Sequence, residues 1–394
     1  MTTQDFILQY RTSDVAQAAL LVRQYKDVDH EFALRQIEGW QKACTKLPEI
    51  SRIDGWHYPV RLSMEQCSSE QTARYKRAIV DRLNSEALNV PKTQLNGAAT
   101  PLLIDLTGGF GIDAYYMGTT DYVEQNAELC QVVQHNMTIA QHNTRVHCAQ
   151  AEDYIQTIEH SDIIYLDPAR RDSHGGKVFR LEDCTPNVVE LYPTLMSRCD
   201  ALMLKLSPML DITEALRRLP DAREVHVVAV KNEVKEVLIV CHKQSDTLSY
   251  ICVNLGSNEP AFEVYESDDR PIGQTMIFAT KPGTYIYEPN AAIMKAGLFN
   301  EVSWQYELVM LGENSHLYTS DEIIDSFPGR IWLAHEASKE ELKALTQANI
   351  LTRNYPLRPE EIKKKYRLKD GGNTYVIGSR IAKKPILLIG TIVK

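Results

Sequence analysis

Leu102-Leu-Ile-Asp-Leu-Thr-Gly-Gly-Phe-Gly111 decides the fold, because a short apolar run passes directly into a turn rich in glycine. A brief apolar run bounded by turn residues reads as a buried strand, and glycines after it let a ligand approach the backbone closely. Similar runs recur on the C-terminal side: Asp121-Tyr-Val-Glu124, Val146-His-Cys148, Asp162-Ile-Ile-Tyr-Leu166, Ala201-Leu-Met-Leu-Lys-Leu206, Glu224-Val-His-Val-Val-Ala-Val230 and Val237-Leu-Ile-Val-Cys241. Helical stretches separate most of them, which implies a doubly wound parallel sheet. Only Lys231-Asn-Glu-Val-Lys-Glu236 joins the last two. That is too short for a crossover helix, so they are expected to form an antiparallel hairpin. The expected fold is α/β, a Rossmann-like seven-stranded sheet with its last strand antiparallel.

Outward from this core, residues 1–66 read as a helical region, with apolar positions at helical spacing in Phe32-Ala-Leu-Arg-Gln-Ile-Glu-Gly-Trp-Gln-Lys-Ala-Cys44. Ser68-Ser-Glu-Gln71 fits a capping box that opens the next helix. The sheet domain is expected over 67–279. Turn-rich Asp268-Asp-Arg-Pro-Ile-Gly273 and Lys281-Pro-Gly283 mark its end. A separate α/β module is expected over 280–394, with strands at Arg330–Ala334 and Lys384–Gly390 and a helix capped at Ser338-Lys-Glu-Glu341.

Composition sets the outer limits. The 394 residues are 44% apolar and 24% charged, as in soluble globular proteins, and they are too many for one ordinary core. No window approaches a membrane span, and the N-terminus lacks the pattern of a targeting segment, so a cytoplasmic protein without a membrane partner is expected. Eight cysteines without a C-x-x-C pair read as reduced thiols, and no metal is expected. His135, His142 and His147 lack a Cys or acid at ligand spacing. The net charge of -9 is uneven: residues 351–394 hold 11 Lys/Arg against 3 Asp/Glu, a balance of +8 on an otherwise acidic chain. A basic module of this kind suits phosphate contacts, although a solvated basic face has the same composition.

The residues around the glycine turn point to a cofactor. Gly109-x-Gly111-x-x-Ala114 also satisfies a dinucleotide fingerprint, so an NAD-dependent oxidoreductase is a competing reading, and the neighbouring residues have to decide. Asp105, at the mouth of the first strand, can face a cationic ligand group, whereas it would repel a pyrophosphate. Glu124 ends the second strand, where a carboxylate can accept hydrogen bonds from ribose hydroxyls. Asp167-Pro168 follows the fourth strand at the expected switch-point crevice. A cationic nucleoside, S-adenosylmethionine, satisfies all three.

Together with these residues, several blocks give the chain a resemblance to the class I S-adenosylmethionine-dependent methyltransferase family that carries a C-terminal THUMP-like domain. They are Glu65-Gln-Cys-Ser-Ser-Glu-Gln-Thr-Ala73, Asp105-Leu-Thr-Gly-Gly-Phe-Gly-Ile-Asp113, Asp167-Pro-Ala-Arg-Arg171, Lys205-Leu-Ser-Pro208, Tyr287-Glu-Pro289 and Arg353-Asn-Tyr-Pro-Leu357. The expected cofactor contacts are Asp105, Thr107, Gly108, Gly109, Gly111, Asp113, Glu124, Gln150, Asp153, Asp167 and Pro168. Gln150 stands where class I enzymes often place an acid for adenine, and Glu152 or Asp153 could take that role instead. THUMP domains in the wider family bind RNA, so the resemblance implies RNA as a partner of the basic module.

The acceptor is read from the residues beside the methyl. Arg170 follows Asp167-Pro-Ala where amino-nitrogen methyltransferases carry an aromatic, which disfavours a flipped adenine. Ser207 in Lys205-Leu-Ser-Pro208 stands where a carbon methyltransferase needs a nucleophilic cysteine. Lys76, Asp167, Lys205 and Glu236 follow the order of the Lys-Asp-Lys-Glu set of ribose 2′-O-methyltransferases, in which a lysine would stabilise the developing oxyanion. Solvated lysines falling there by chance are the alternative. Arg170, Arg171, Lys177 and Arg180 form a basic segment suited to substrate phosphates, or simply a solvated loop. Tyr285 and Tyr287 could stack on bases but read more naturally as core aromatics. A chain that keeps the fold and binds RNA or a partner without chemistry is the main competing class.

Overall fold

The computed structural model describes residues 1–87, 102–170, 180–242, 247–266 and 278–394. The turn expected at 268–273 therefore lies outside the described residues. Two compact units are formed, one from residues 1–223 with 238–245 and the other from 224–237 with 246–394.

The first unit opens with helices α1 (Thr3–Tyr10), α2 (Val15–Leu21), α3 (His30–Lys46) and α4 (Arg61–Gln66). Thr2 closes a capping box with Asp5, and Asp14 and Asp29 cap the next two helices. Phe6, Ala18, Val22, Ala33 and Ile37 form a small core among them. Helix α5 (Glu70–Ala87) follows. The expected cap is displaced by one residue, since Ser69 Oγ accepts from Thr72 N at 3.3 Å while Ser68 turns its hydroxyl to Asp113 at 2.8 Å.

The sheet of this unit alternates with helices as expected: β1 (Leu103–Asp105), α6 (Ile112–Met117), β2 (Asp121–Glu124), α7 (Ala127–Ile139), β3 (Arg145–Cys148), α8 (Ala151–Thr157) and β4 (Ser161–Leu166). A two-stranded ribbon, β5 (Ala169–Arg170) with β6 (Cys184–Thr185), comes next, then α9 (Val188–Arg198), β7 (Cys199–Leu206) and α10 (Ile212–Arg218). Strands β7, β4, β1, β2 and β3 are neighbours in that order, and all are parallel. β1 and β4 are almost wholly buried, as expected for strands covered on both faces. The order reverses direction between β1 and β4, so the crevice at their C-terminal ends is the topological switch point.

The chain continues through β8 (Ala222–Val230), β9 (Glu233–His242), β10 (Ser249–Leu255) and β11 (Phe262–Tyr265). All seven expected strands are present, but the sheet has nine, in the order β11-β10-β8-β9-β7-β4-β1-β2-β3. β10 runs parallel to β8 and β11 antiparallel to β10, so the seven-stranded sheet is corrected. The hairpin turn is shorter than its sequence suggested. Lys231 and Asn232 both take positive φ, 51° and 64°, and they make a two-residue turn with β9 starting at Glu233.

The second unit carries another sheet of seven strands: β12 (Tyr285–Pro289), β13 (Val309–Met310), β14 (Tyr318–Ser320), β15 (Gly329–Glu336), β16 (Asn349–Thr352), β17 (Thr374–Ile381) and β18 (Lys384–Ile392). Their order is β13-β14-β12-β15-β18-β17-β16. Helices α11 (Ala291–Ala296), α12 (Phe299–Tyr306), α13 (Lys339–Ala344) and α14 (Pro359–Tyr366) accompany it. Ser338 and Glu341 form the expected capping box. Trp332, Ile377 and Leu388 are fully buried in its core. Tyr287 is buried too, and its hydroxyl donates to Glu322 O at 2.6 Å, which makes it a core residue rather than a stacking platform. Among the described residues no helix is long and apolar enough to cross a membrane.

Candidate functional site

The glycine turn is shaped by what lies beneath it. Gly108 packs on the Tyr122 ring so closely that an added Cβ would lie 2.0 Å from it. Gly109 and Gly111 take φ of 53° and 77°, the left-handed region, and carry the chain from β1 into α6. Gly108 N donates to Val123 O at 2.8 Å, and Tyr122 donates its hydroxyl to Gly109 O at 2.5 Å. The loop is therefore pinned to β2 through both main chain and side chain.

Two carboxylates flank it. Glu124 accepts Gly109 N–H on Oε2 at 2.9 Å and Asn126 N–H on Oε1 at 2.8 Å, which leaves lone pairs on both oxygens for further donors. Asp105 is buried, 1% exposed. Its Oδ1 accepts from Thr107 N at 3.0 Å, but its Oδ2 is buried with no hydrogen-bond partner. Burial pushes its pKa well above the usual carboxylate range, and the negative charges of Asp113, Asp167 and Glu124 push the same way, against the Thr107 N–H. An orphaned buried acid oxygen costs stability unless a donor or cation meets it. Asp105 and Glu124 thus fit a ligand with a cationic group and a diol.

A second cluster stands on the β4 side of the crevice. Thr107 Oγ1 accepts the Asp167 N–H at 2.5 Å, which ties the loops after β1 and β4 together. The Asp167 carboxylate is ion-paired with Lys205 on β7, and Lys205 lies 3.9 Å from Asp113 Oδ2. Lys76, on α5 and wholly buried, faces Asp113 Oδ1 at 3.2 Å as an ion pair without hydrogen-bond geometry. Ser68 and Tyr165 each donate a hydroxyl to Asp113 Oδ2 at 2.8 Å, and Lys76 donates to Ser68 Oγ at 3.2 Å. Burial alone would raise Asp113. Lys76, Lys205 and the two hydroxyls together outweigh it and hold the carboxyl below its ordinary range. The result is an alternating chain of charges, Lys76, Asp113, Lys205 and Asp167, running from the interior to the crevice.

Three of the four residues expected to be catalytic, Lys76, Lys205 and Asp167, are thus joined through Asp113. The fourth, Glu236, is buried on β9 and belongs to the other unit. Asp113, expected at the cofactor, is instead committed to the two lysines. Pro168 is buried. Gln150 caps α8 without a side-chain hydrogen bond, so its exposed amide is available, and Asp153 is also exposed. Of the basic segment, Arg170 lies on β5 and Arg180 is exposed, while Arg171 and Lys177 fall outside the described residues. Sequence reasoning passed over Ser68 and Tyr165. The block Glu65–Ala73 contained the signal for Ser68, but nothing local marks Tyr165 as more than a core strand residue. His135 and His147 are occupied by Gly55 O at 2.9 Å and Asp121 at 2.7 Å. His160, Asp162 and Asp200 do bring possible ligand atoms within 4.8 Å of one another, but all three are exposed.

Comparison with known proteins bears on the fold and its domains. Residues 285–328 match the model of a ferredoxin-like domain and residues 330–391 that of a THUMP-like domain. The whole chain is similar to a protein of Porphyromonas gingivalis W83 whose crystal structure is described as that of a "putative methyltransferase". It is 29% identical over 100% of this chain and 98% of that one, with a TM-score of 0.83. Weaker likenesses include a SAM-dependent methyltransferase from Agrobacterium tumefaciens (14% identical, 47% of this chain and 64% of that one, TM-score 0.29). Another is a "putative RNA methyltransferase" from Pyrococcus horikoshii (12% identical, 52% and 98%, TM-score 0.31). Comparison with the curated proteins finds no match. The chain therefore joins a methyltransferase-like body to C-terminal ferredoxin-like and THUMP-like domains, as the family resemblance implied.

Proposed function

We propose that the chain is an S-adenosylmethionine-dependent methyltransferase acting on RNA. The observation that carries this is the Asp105 carboxylate, whose orphaned oxygen and raised pKa call for a cation beside a glycine turn that already presents Glu124. Bound there, S-adenosylmethionine supplies a methyl group on a positively charged sulfur with a neutral leaving group. The chain's own residues then have two tasks. Asp105 receives the ligand's positive end, while Glu124 holds the ribose and Gln150 or Asp153 is available to the adenine. Asp167 and Lys205, at the mouth of β4 and β7, orient the acceptor and take part in moving its proton.

For the acceptor, we favour a ribose 2′-hydroxyl. Such a group is a poor acid, and the Lys205 ammonium, held by Asp167 and backed by Asp113, would stabilise the oxyanion as it forms. Lys76 and Asp113 keep Lys205 in place from behind; Glu236, on β9, is not needed for this argument. Arg170, Arg171, Lys177 and Arg180 are proposed to meet substrate phosphates, and the module over 280–394 to hold the RNA body. In support of the latter are the THUMP-like match and the +8 balance of residues 351–394.

Two measurements test the proposal. Calorimetric titration of the protein is expected to show binding of S-adenosylmethionine and none of NAD, and the reverse would overturn it. Mass spectrometry of RNA nucleosides from a deletion strain and its parent is expected to show one methylated nucleoside missing. An unchanged profile would remove RNA as the substrate.

A further inference from the structure

Two thiols lie beside the main chain at Glu124 and Gln125. Cys130, in the first turn of α7, is 6% exposed and donates its S–H to the main-chain oxygen of Glu124 at 3.2 Å. Cys148, at the end of β3, is exposed, is register partner to Glu124 itself, and reaches toward Gln125 O at 4.0 Å. Neighbouring strands lie about 4.8 Å apart, and the two sulfurs face adjacent main-chain oxygens, those of Glu124 and Gln125. Both also line an open groove of 690 Å³ with Gln134, His135, Thr138 and Val146, which gives small molecules access to them. The other six cysteines are not part of this groove.

We propose that Cys130 and Cys148 form an oxidisable pair, closed to a disulfide by a peroxide, and that closure loosens the seat of Glu124 and so weakens cofactor binding. The exposed Cys148 meets the oxidant first. Its sulfur attacks one peroxide oxygen, the O–O bond breaks, and water or an alcohol leaves, so Cys148 becomes a sulfenic acid. The Cys130 sulfur then attacks that sulfur, the S–O bond breaks, and a second water leaves with the Cys130 proton. Both thiols are oxidised by one electron each, and the peroxide takes up the two electrons. The direct interaction of the two side chains fits this sequence. Burial, followed in size by the effect of Cys148 itself, pushes the Cys130 thiol up to about 12; this slows the second step, because the thiolate is the attacking form, and leaves Cys148 as the site of first oxidation. Disulfide formation removes the S–H that Cys130 gives to Glu124 O, leaving that oxygen the Ala149 N–H at 3.1 Å. It also ties the first turn of α7 to β3, and α7 begins right after the Asn126 N–H that holds the Glu124 carboxylate.

The second half of the proposal rests on the cofactor site described above; the first does not. The test treats the full chain with hydrogen peroxide, blocks remaining thiols with iodoacetamide, and maps peptides by mass spectrometry. A Cys130–Cys148 cross-linked peptide is expected, absent from Cys148→Ser. Pairing elsewhere, or Cys148 oxidised with Cys130 still free to alkylate, overturns the pair. Calorimetry with S-adenosylmethionine then compares reduced and oxidised protein. A Kd weakened about fivefold on oxidation is expected from the loss of one hydrogen bond, restored by dithiothreitol and absent in Cys148→Ser. Equal affinity in both forms overturns the switch. If the reduced protein binds no S-adenosylmethionine, the cofactor assignment and the switch both fail, while the cross-link result stands or falls by itself.

Discussion

Asp105 concentrates the electrostatic problem of the site in a single side chain. As an acid whose folded pKa is raised above its unfolded value of 3.8, it favours the folded state while protonated. That contribution is lost as pH rises from the unfolded toward the folded value. Asp105→Asn is therefore expected to raise the melting temperature of the ligand-free protein at pH 8 and to change it little below pH 4. The same substitution should weaken S-adenosylmethionine binding by roughly 10- to 100-fold, the scale of a charge-assisted contact. Thermal scans at the two pH values and calorimetry check both, and a destabilised Asn variant at pH 8 would contradict the buried charge. Lys205→Ala is expected to keep cofactor affinity and to lower the rate of RNA methylation by about 10²-fold or more. Unchanged turnover would remove Lys205 from the chemistry.

Among elements, α5, α6 and β4 meet in the charges around Asp113. Lys76 comes from α5, Asp113 from the first turn of α6, Ser68 from just before α5 and Tyr165 from β4. Removing one partner of a buried pair leaves the other charge poorly compensated. Lys76→Met is thus expected to cost about 3 kcal/mol in urea unfolding, whereas a loss below about 0.5 kcal/mol would show the pair to be dispensable. The join between β1 and α6 depends instead on space. A methyl group at Gly108 would collide with the Tyr122 ring, so Gly108→Ala is expected to cost about 1–3 kcal/mol, measured in the same way.

At the scale of the whole molecule, charge separates the acidic body from the basic tail. On α14 and the turn after it, Lys364, Lys365, Arg367 and Lys369 are exposed, whereas Lys363 pairs with Asp370 at 2.6 Å. If this face meets phosphates, Lys364→Glu with Lys365→Glu should weaken RNA binding and lower the slope of log K against log salt by about 1 per lost contact. Cofactor affinity should not change. An unaltered salt slope in filter binding would move the RNA surface elsewhere.

How much was legible in the sequence follows from the range of the forces involved. Strands β1, β2, β4 and β7 to β9 could be read directly, because a largely buried strand is mostly apolar and its ends need turn residues; the edge strand β3 was found from its short run between two helices. The placement of Gly108, Gly109 and Gly111, of Asp105 and of Glu124 at strand ends could be read, since the parallel sheet puts all those ends along one edge. Beyond residue 245 the alternation weakens, and β10 and β11 were missed: β10 mixes Ser249, Tyr250 and Asn254 with its apolar residues, and β11 is a short edge strand with partly exposed faces. The roles of Asp113, Ser68 and Tyr165 were decided only by tertiary structure. Asp113 lies 45 residues from Ser68 and 52 from Tyr165. A charge can be read from sequence, but the opposite charge that holds it is chosen by folding.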